Sequence, residues 1–263
     1  MNRTWCFSTT EFVALWEELK EGALPAPFIY TTNTQSYDDH EREKLDTRQR
    51  VLASLDGTFE GVLETLARPD IRLVTTGSSA DPDDAAALIR LLAARQDDRG
   101  YLVKQLPGET LWDSGGFVVT ECDPVRLADA VIAELPEAKA GKQGEIVLAE
   151  PAFDDEDGFD YSYGRSSVDA DTIENSIAHR SDRFLGAPVT TIGSIEIIQG
   201  RSRFGPRGIA RYRLGWRDLV DDGRYVTVFT APPVAVPADT SRMTALLNAE
   251  IIKVIQTIKD ERG

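Results

Sequence analysis

The stretch from 201 to 217, RSRFGPRGIARYRLGWR, holds six arginines and no acidic residue. Its second part alternates with a period of two, which is the side-chain period of a β-strand. Apolar and aromatic side chains fall on one side and arginines on the other: Tyr212, Leu214 and Trp216 against Arg211, Arg213 and Arg217. The turn sequence at 221–223, Asp-Asp-Gly, leads into a second strand, YVTVF. The pattern predicts an antiparallel hairpin with its aromatic face on the core and its arginine face in solvent.

This hairpin has a weaker counterpart earlier in the chain. RQDDRGYLVKQ (95–105) resembles DLVDDGRYVTVF (218–229), and DPVRLADAVIAEL (123–135) resembles DTSRMTALLNAEI (239–251). Because the two matches occur in the same order, they predict a duplicated unit of strand, aspartate turn, two strands and helix. Alanine and leucine favour a helix at 85–95. The duplication makes that segment a strand instead.

Local signals predict further elements. Ser8 and Glu11 have the spacing of a capping box, and the apolar stripe after them predicts a helix that ends near Gly22. Apolar periodicity predicts three more helices, at 41–55, 58–67 and 123–135. Strand-like segments occupy 28–30, 71–77, 99–106 and 115–121.

Charge and length limit the classes of function. The 263 residues include 29 Lys and Arg against 44 Asp and Glu, for a formal net charge of −15. Such a balance argues against broad nucleic-acid binding, which needs basic surface to displace counterions. No apolar run approaches the ~18 residues of a membrane helix, and the first residues lack the apolar region of a secretory signal. With only two cysteines, we expect a soluble cytoplasmic protein without a disulfide framework or a metal site.

Catalytic motifs are missing from the sequence. His40 and His179 lie in charged surroundings typical of surface histidines, and no nucleophile elbow, P-loop or Cys/His cluster accompanies them. EPAFDDEDGFD (150–160) carries six acids, but its spacing does not fit a calcium loop, so we expect a solvated acidic loop. The sequence therefore predicts no enzyme, no catalytic residue and no cofactor.

The two ends of the chain resemble the EspG family, the secretion-associated chaperones of type VII (ESX) systems. The N-terminal match is FSTTEFVALWEELKEGALPAPF, a helix with a Leu-Pro-x-Pro exit. The C-terminal match is GRSRFGPRGIARYRLGWRDLVDDGRYVTV followed by VAVPADTSRMTALL, which is similar to the family's G-x-FG turn, arginine-rich strand and aspartate turn. The middle, 137–170, matches poorly.

The resemblance implies an α+β fold, in which a central, mostly antiparallel sheet from two quasi-duplicated halves is flanked by helices. Here it would form a single domain, with halves of about 1–136 and 137–263. It also implies a function without catalysis, which is binding PE–PPE heterodimers in the cytosol at the apolar tip of a helical hairpin and directing them to the secretion machine. We expect no nucleic-acid or membrane partner, and the oligomeric state stays open, a dimer included.

Local propensity and the family resemblance give different predictions for one segment. PVTTIGSIEIIQG (188–200) is β-branched and by propensity favours a strand. The family makes it a helix of a C-terminal bundle beside 171–186, and we follow the family.

The family's docking surface maps to the sheet, the loop at 78–84 and the segment 171–200. The residues expected to contact a partner are therefore Asp81, Ile173, Ile177, Phe184, Ile192 and Ile195. The alternative for each isoleucine is a place in the core. Arg211 and Arg213 have two uses open to them, pairing with the chain's own acidic loops, which we expect, or lining a partner surface.

A second class of function stays open beside the chaperone. An α+β protein could bind a small ligand in a pocket between its sheet and helices, as a binding protein or as an uncharacterised enzyme.

Overall fold

The computed structural model describes residues 3–19, 23–32, 34, 36–55, 57–149 and 177–262. In this part of the chain, ten strands form one sheet in which every neighbouring pair is antiparallel. The strands are β1 (Thr4–Phe7), β2 (Ile71–Ser79), β3 (Ile89–Gln96), β4 (Arg99–Pro107), β5 (Ser114–Cys122), β6 (Ile146–Val147), β7 (Val189–Gln199), β8 (Arg211–Leu219), β9 (Gly223–Val228) and β10 (Val234–Pro237).

Helices accompany this sheet, so the predicted α+β class is confirmed. They are α1 (Thr9–Glu18), α2 (Tyr37–Ser54), α3 (Phe59–Ala67), α4 (Leu127–Ala133), α5 (described over 177–185) and α6 (Thr240–Arg262). The capping box at the start of α1 is present, since Glu11 N donates to Ser8 Oγ at 3.3 Å and Ser8 N donates to Glu11 Oε2 at 2.8 Å. None of the described helices combines the length and the apolar character needed to span a membrane.

The order of the strands reads alike from both edges of the sheet. It is β1-β5-β4-β3-β2 from one edge and β6-β10-β9-β8-β7 from the other, with β2 paired to β7 in the middle. The turns β3–β4 and β8–β9 each contain an aspartate with a positive φ, 51° at Asp97 and 61° at Asp221. This is the arrangement that a duplicated unit predicts. The point near residue 136 where one half would end stays a prediction.

Helices cover the two faces of the sheet unequally. α4 and α6 lie on one face, over a core that includes Leu73, Leu91, Ile197 and Trp216. On the opposite face α1, α2 and α3 cover β3, β4 and β5. A smaller cluster around Phe184 and Tyr225 lies on that same face at its far end, near β6 and α5. Between α3 and α5, no described helix covers β2, β7 and β8 on the second face.

The structure corrects the prediction for 188–200. This segment is the central strand β7, which pairs with β2 on one side and β8 on the other. A strand bonded on both sides satisfies its main chain completely, and its β-branched residues pack well on a pleated surface. The helix inferred from the family was therefore wrong here, and the local propensity was right.

The strand predicted at 28–30 is also wrong. Phe28 is buried against the rings of Phe12 and Phe117. The main chain of Ile29 pairs with a side chain instead of a strand, because Gln105 Nε2 donates to its carbonyl at 2.6 Å and its N–H donates to Gln105 Oε1 at 3.2 Å. One buried amide side chain thus supplies the hydrogen bonds that a neighbouring strand would have made.

Candidate functional site

The open part of the sheet forms a trough of about 610 Å³, here called the arginine groove. Its floor is one row of small residues that lie side by side on four strands: Thr76, Ser194, Gly215 and Thr227. Larger side chains flank this row, and they include Leu88, Arg90, Leu148, Leu185, Ile192, Arg213, Arg217 and Phe229. Because the floor residues carry little or no side chain, the groove is deepest along this row.

Gly215 accounts for much of that depth. A Cβ placed on it would lie 3.6 Å from the Cβ of Thr227 and 3.7 Å from the ring of Phe229, which is ordinary van der Waals contact. The space above Gly215 is therefore part of the groove and is not needed for packing inside the protein.

Backbone carbonyls and aromatic rings hold the groove's arginines. Arg90 Nη2 donates to the carbonyl of Leu111 at 2.7 Å, and Arg217 Nη2 donates to the carbonyl of Leu185 at 2.7 Å. The Arg213 guanidinium lies 5.4 Å from the ring centre of Phe229, a cation–π distance. Neither contact neutralises a positive charge, so the groove keeps the charge of its arginines.

Arg72 and Arg211 extend this positive face beyond the groove. Both pair in register with Ile198 of β7, Arg72 from β2 and Arg211 from β8. The next pair on this face, two residues away, is Glu196 of β7 with Arg213 of β8. Glu196 is the one acidic residue that β2, β3, β7, β8 and β9 present on this face. The opposite face has a different chemistry, since there Asp218 pairs with the buried Arg224 at 2.7 Å.

Burial acts on these guanidinium groups as expected for cations with few anionic neighbours. The pKa of Arg72 is lowered by burial and by the nearby Arg211, with a partial offset from Glu196. Burial also lowers the pKa of Arg90 and of Arg217. Removal of water disfavours the charged form. An arginine nevertheless stays charged at neutral pH, because its ordinary pKa is above ~12.

Two of these arginines retain bonding capacity. Within the described residues, the Nε atoms of Arg72 and Arg217 are buried without a hydrogen-bond partner. A buried N–H without an acceptor is costly.

Several residues predicted to contact a partner lie at or near this groove. Ile192 and Arg213 line it, and Arg211 lies on the same face. Asp81 is exposed in the loop between β2 and β3, where its Oδ1 accepts the N–H of Asp83 at 3.0 Å. Ile177 is half-buried at the first described position of α5. Ile173 lies outside the described residues.

Two other predicted residues belong to the core. Ile195 is 0% exposed and faces α4 and α6, on the side of the sheet away from the groove. Phe184 is 4% exposed and packs edge-to-face on Tyr225 at 5.2 Å. In this conformation neither side chain is accessible to a partner, because alternation in β7 turns Ile195 inward and the third apolar cluster encloses Phe184.

The predicted pairing of Arg211 and Arg213 with acidic loops is not found in the described segments. Neither arginine forms an ion pair there, and Arg213 contacts the ring of Phe229 instead. The acidic stretch at 150–160 lies outside the described residues.

Sequence reasoning missed Arg90, Leu148, Leu185 and Phe229, which also line the groove. A signal existed for Arg90, because it interrupts the apolar run AAALIRLLAAR and alternation places it opposite the buried Leu91. No local signal existed for Leu148 and Leu185, whose place at the groove depends on how distant segments pack.

A second cavity, of about 750 Å³, lies between α1, the segment around Thr31 and the β4–β5 connection. It is polar, and Asp113 is its best-connected carboxylate. Hydroxyl donors hold Asp113, first Thr31 and then Thr110, and they lower its pKa. No group of three possible metal ligands occurs among the residues that the structure describes.

The fold and its open groove define an α+β protein with a docking-sized trough on one face of its sheet. The chain belongs to the EspG family, whose model matches residues 8–249. It is similar in structure to EspG5, the type VII secretion chaperone of Mycobacterium tuberculosis, solved in complex with a PE25–PPE41 dimer. That similarity has a TM-score of 0.56 at 12% identity and covers 98% of this chain and 96% of EspG5, so it shows a shared fold. No curated protein matches the chain. The predicted family resemblance is confirmed.

Proposed function

We propose that this chain is a chaperone of a type VII secretion system, which binds PE–PPE-type helical substrates and directs them to secretion. The observation that carries the proposal is the family match over 8–249 in a fold shared with a chaperone solved on its PE–PPE cargo.

The groove supports a docking role. Phe229 is 52% exposed and Leu185 is 43% exposed, and both line it beside Ile192. Exposed apolar groups gathered in one concave patch are typical of interaction sites. Arginine is enriched at such interfaces, and the arginines of the groove supply polar groups around the apolar ones. The apolar tip of a helical hairpin is a partner that this surface could keep from aggregating.

We also propose that the chain acts without catalysis and in the cytoplasm. A chaperone of secretion substrates must meet its cargo before export. In the polar cavity, hydroxyl donors lower the pKa of Asp113, which disfavours a general-acid role for this carboxylate.

The test is calorimetric titration of the purified full chain with the PE–PPE-type dimers encoded by its own genome. We expect one dimer to bind, and we expect Phe229→Ser or Leu185→Ser to weaken binding by about tenfold or more, because central apolar contacts dominate interface energies. Ile252→Ser is the matched control, since Ile252 is 57% exposed but lies on α6, across the sheet from the groove. Failure of every such dimer to bind would refute the proposal.

A further inference from the structure

The sign of the charge in the groove is unusual for this protein. The chain carries a formal net charge of −15, yet the open face presents Arg72, Arg90, Arg211, Arg213 and Arg217 against Glu196 alone. Since charges of one sign in a concave site concentrate the local field, the groove attracts anions while the remaining surface repels them.

Several cations elsewhere in the described chain are paired with acids. Lys44 contacts Glu17 at 2.8 Å, Lys104 contacts Glu134 at 2.8 Å, and Arg224 contacts Asp218 at 2.7 Å. The groove differs, because its arginines contact carbonyl groups and an aromatic ring. Among the described residues, the arginines of the groove form no such ion pair, although the chain has an excess of carboxylates.

The geometry suits carboxylates from outside the protein. Arg213 and Arg217 stand on the same strand on either side of Gly215, so that the open floor lies between two guanidinium groups. A guanidinium binds a carboxylate through two parallel hydrogen bonds, which are among the strongest and most directional in proteins.

We propose that the groove selects partners whose apolar helical tip carries acidic residues, so that carboxylates and not apolar area alone decide which cargo is bound. This inference rests on the proposed function and adds to it the chemical class of the cargo. Opposite charges fix the orientation of docking, and the acidic remainder of the surface repels the same cargo elsewhere.

The test uses two synthetic helical hairpins as probes. They share two leucines at the tip and differ only in the four flanking positions, which are Glu in one hairpin and Gln in the other. Binding of each labelled hairpin to the full chain is followed by fluorescence anisotropy. We expect the Glu hairpin to bind at least about tenfold more tightly than the Gln hairpin. The preference should shrink as salt is raised.

Variants of the chain test which arginines produce the preference for the Glu hairpin. The double variant R213Q/R217Q should lose it, while Arg207→Gln should keep it, because Arg207 is exposed in the same arginine-rich stretch but lies outside the groove. Charge reversal with R213E/R217E should favour a third hairpin that carries Lys at the flanking positions. Unchanged melting temperatures of the variants show that the change acts on binding and not on folding.

The outcomes separate the two proposals. Equal binding of the Glu and Gln hairpins at the groove would overturn the charge selection while leaving the chaperone function intact. A preference that persists in R213Q/R217Q would also overturn it. No binding of any hairpin, together with no binding of native PE–PPE-type dimers, would remove both. Displacement of the Glu hairpin by an equal concentration of a single-stranded oligonucleotide would assign the groove to nucleic acid instead.

Discussion

The two halves of the sheet differ in whether helices cover their equivalent strand positions. The last residue pairs before the two aspartate turns, Gln96–Arg99 and Leu219–Gly223, set the correspondence between the strands. Counting back from them, Leu92 of β3 corresponds to Gly215 of β8, and Ala94 corresponds to Arg217. Leu92 and Ala94 are buried beneath α1, α2 and α3. Gly215 and Arg217 line the groove. The strand order of the two halves is the same, but only one half carries a full layer of helices on this face.

The difference shows that packing by helices, and not strand order, separates the core from the groove. Arg90 and Arg213 also correspond by the same count, and they face the groove from opposite halves. The groove thus lies between a part of the sheet that the described helices cover and a part that none of them covers.

The largest effect is expected from placing a charge in the covered half. Ala94→Arg would bury a guanidinium beneath α3 without a counterion, so the free energy of unfolding should fall by at least about 4 kcal/mol. Thr76→Arg puts the same group on the exposed groove floor and should cost less than about 1 kcal/mol. Urea denaturation followed by circular dichroism measures both. Equal losses would mean that the groove floor is as well covered as the sheet beneath α3.

The next effect concerns the side of β8 that faces away from the groove. Asp218 accepts two hydrogen bonds from Arg224, at 2.7 and 2.8 Å, and both side chains are buried. Asp218→Ala leaves a buried arginine unpaired, which should lower the free energy of unfolding by about 3–5 kcal/mol. Asp260→Ala, at an exposed position of α6, is the control and should change it by less than about 0.5 kcal/mol. A loss no larger than that of the control would contradict a structural role for this pair.

The smallest expected change in stability is a difference between substitutions at two glycines on neighbouring strands, Gly193 of β7 and Gly215 of β8. A methyl group on Gly193 would overlap the buried indole of Trp216, so Gly193→Ala should cost about 1–3 kcal/mol. Gly215→Leu has free space and should cost less than about 1 kcal/mol. Because its side chain would fill the groove floor, it should weaken binding of a PE–PPE-type dimer by about tenfold or more. Melting curves and titration of both variants check this, and full binding by Gly215→Leu would exclude the floor from the docking site.

Local patterns in the sequence predicted much of the fold. The capping box of α1, the strands β2, β4 and β5, and the alternation of β8 follow from interactions between near neighbours in the chain. The duplication also made 85–95 a strand, where composition alone favoured a helix, and β3 occupies most of that segment. Errors arose where longer-range information overrode a local signal, as at 188–200, or where a distant side chain replaced a strand partner, as Gln105 does for Ile29.

The sequence by itself determined the period of each element, the family, and the side of β8 on which its arginines stand. Those properties depend on residues close together in the chain. Only the tertiary structure decided that the arginines face a groove, because this depends on α1, α2 and α3 covering one half of the sheet and leaving the centre open. It also decided that Ile195 and Phe184 are core while Ile192 is open to a partner. Alternation defines two sides of a strand, but only packing determines which side is covered.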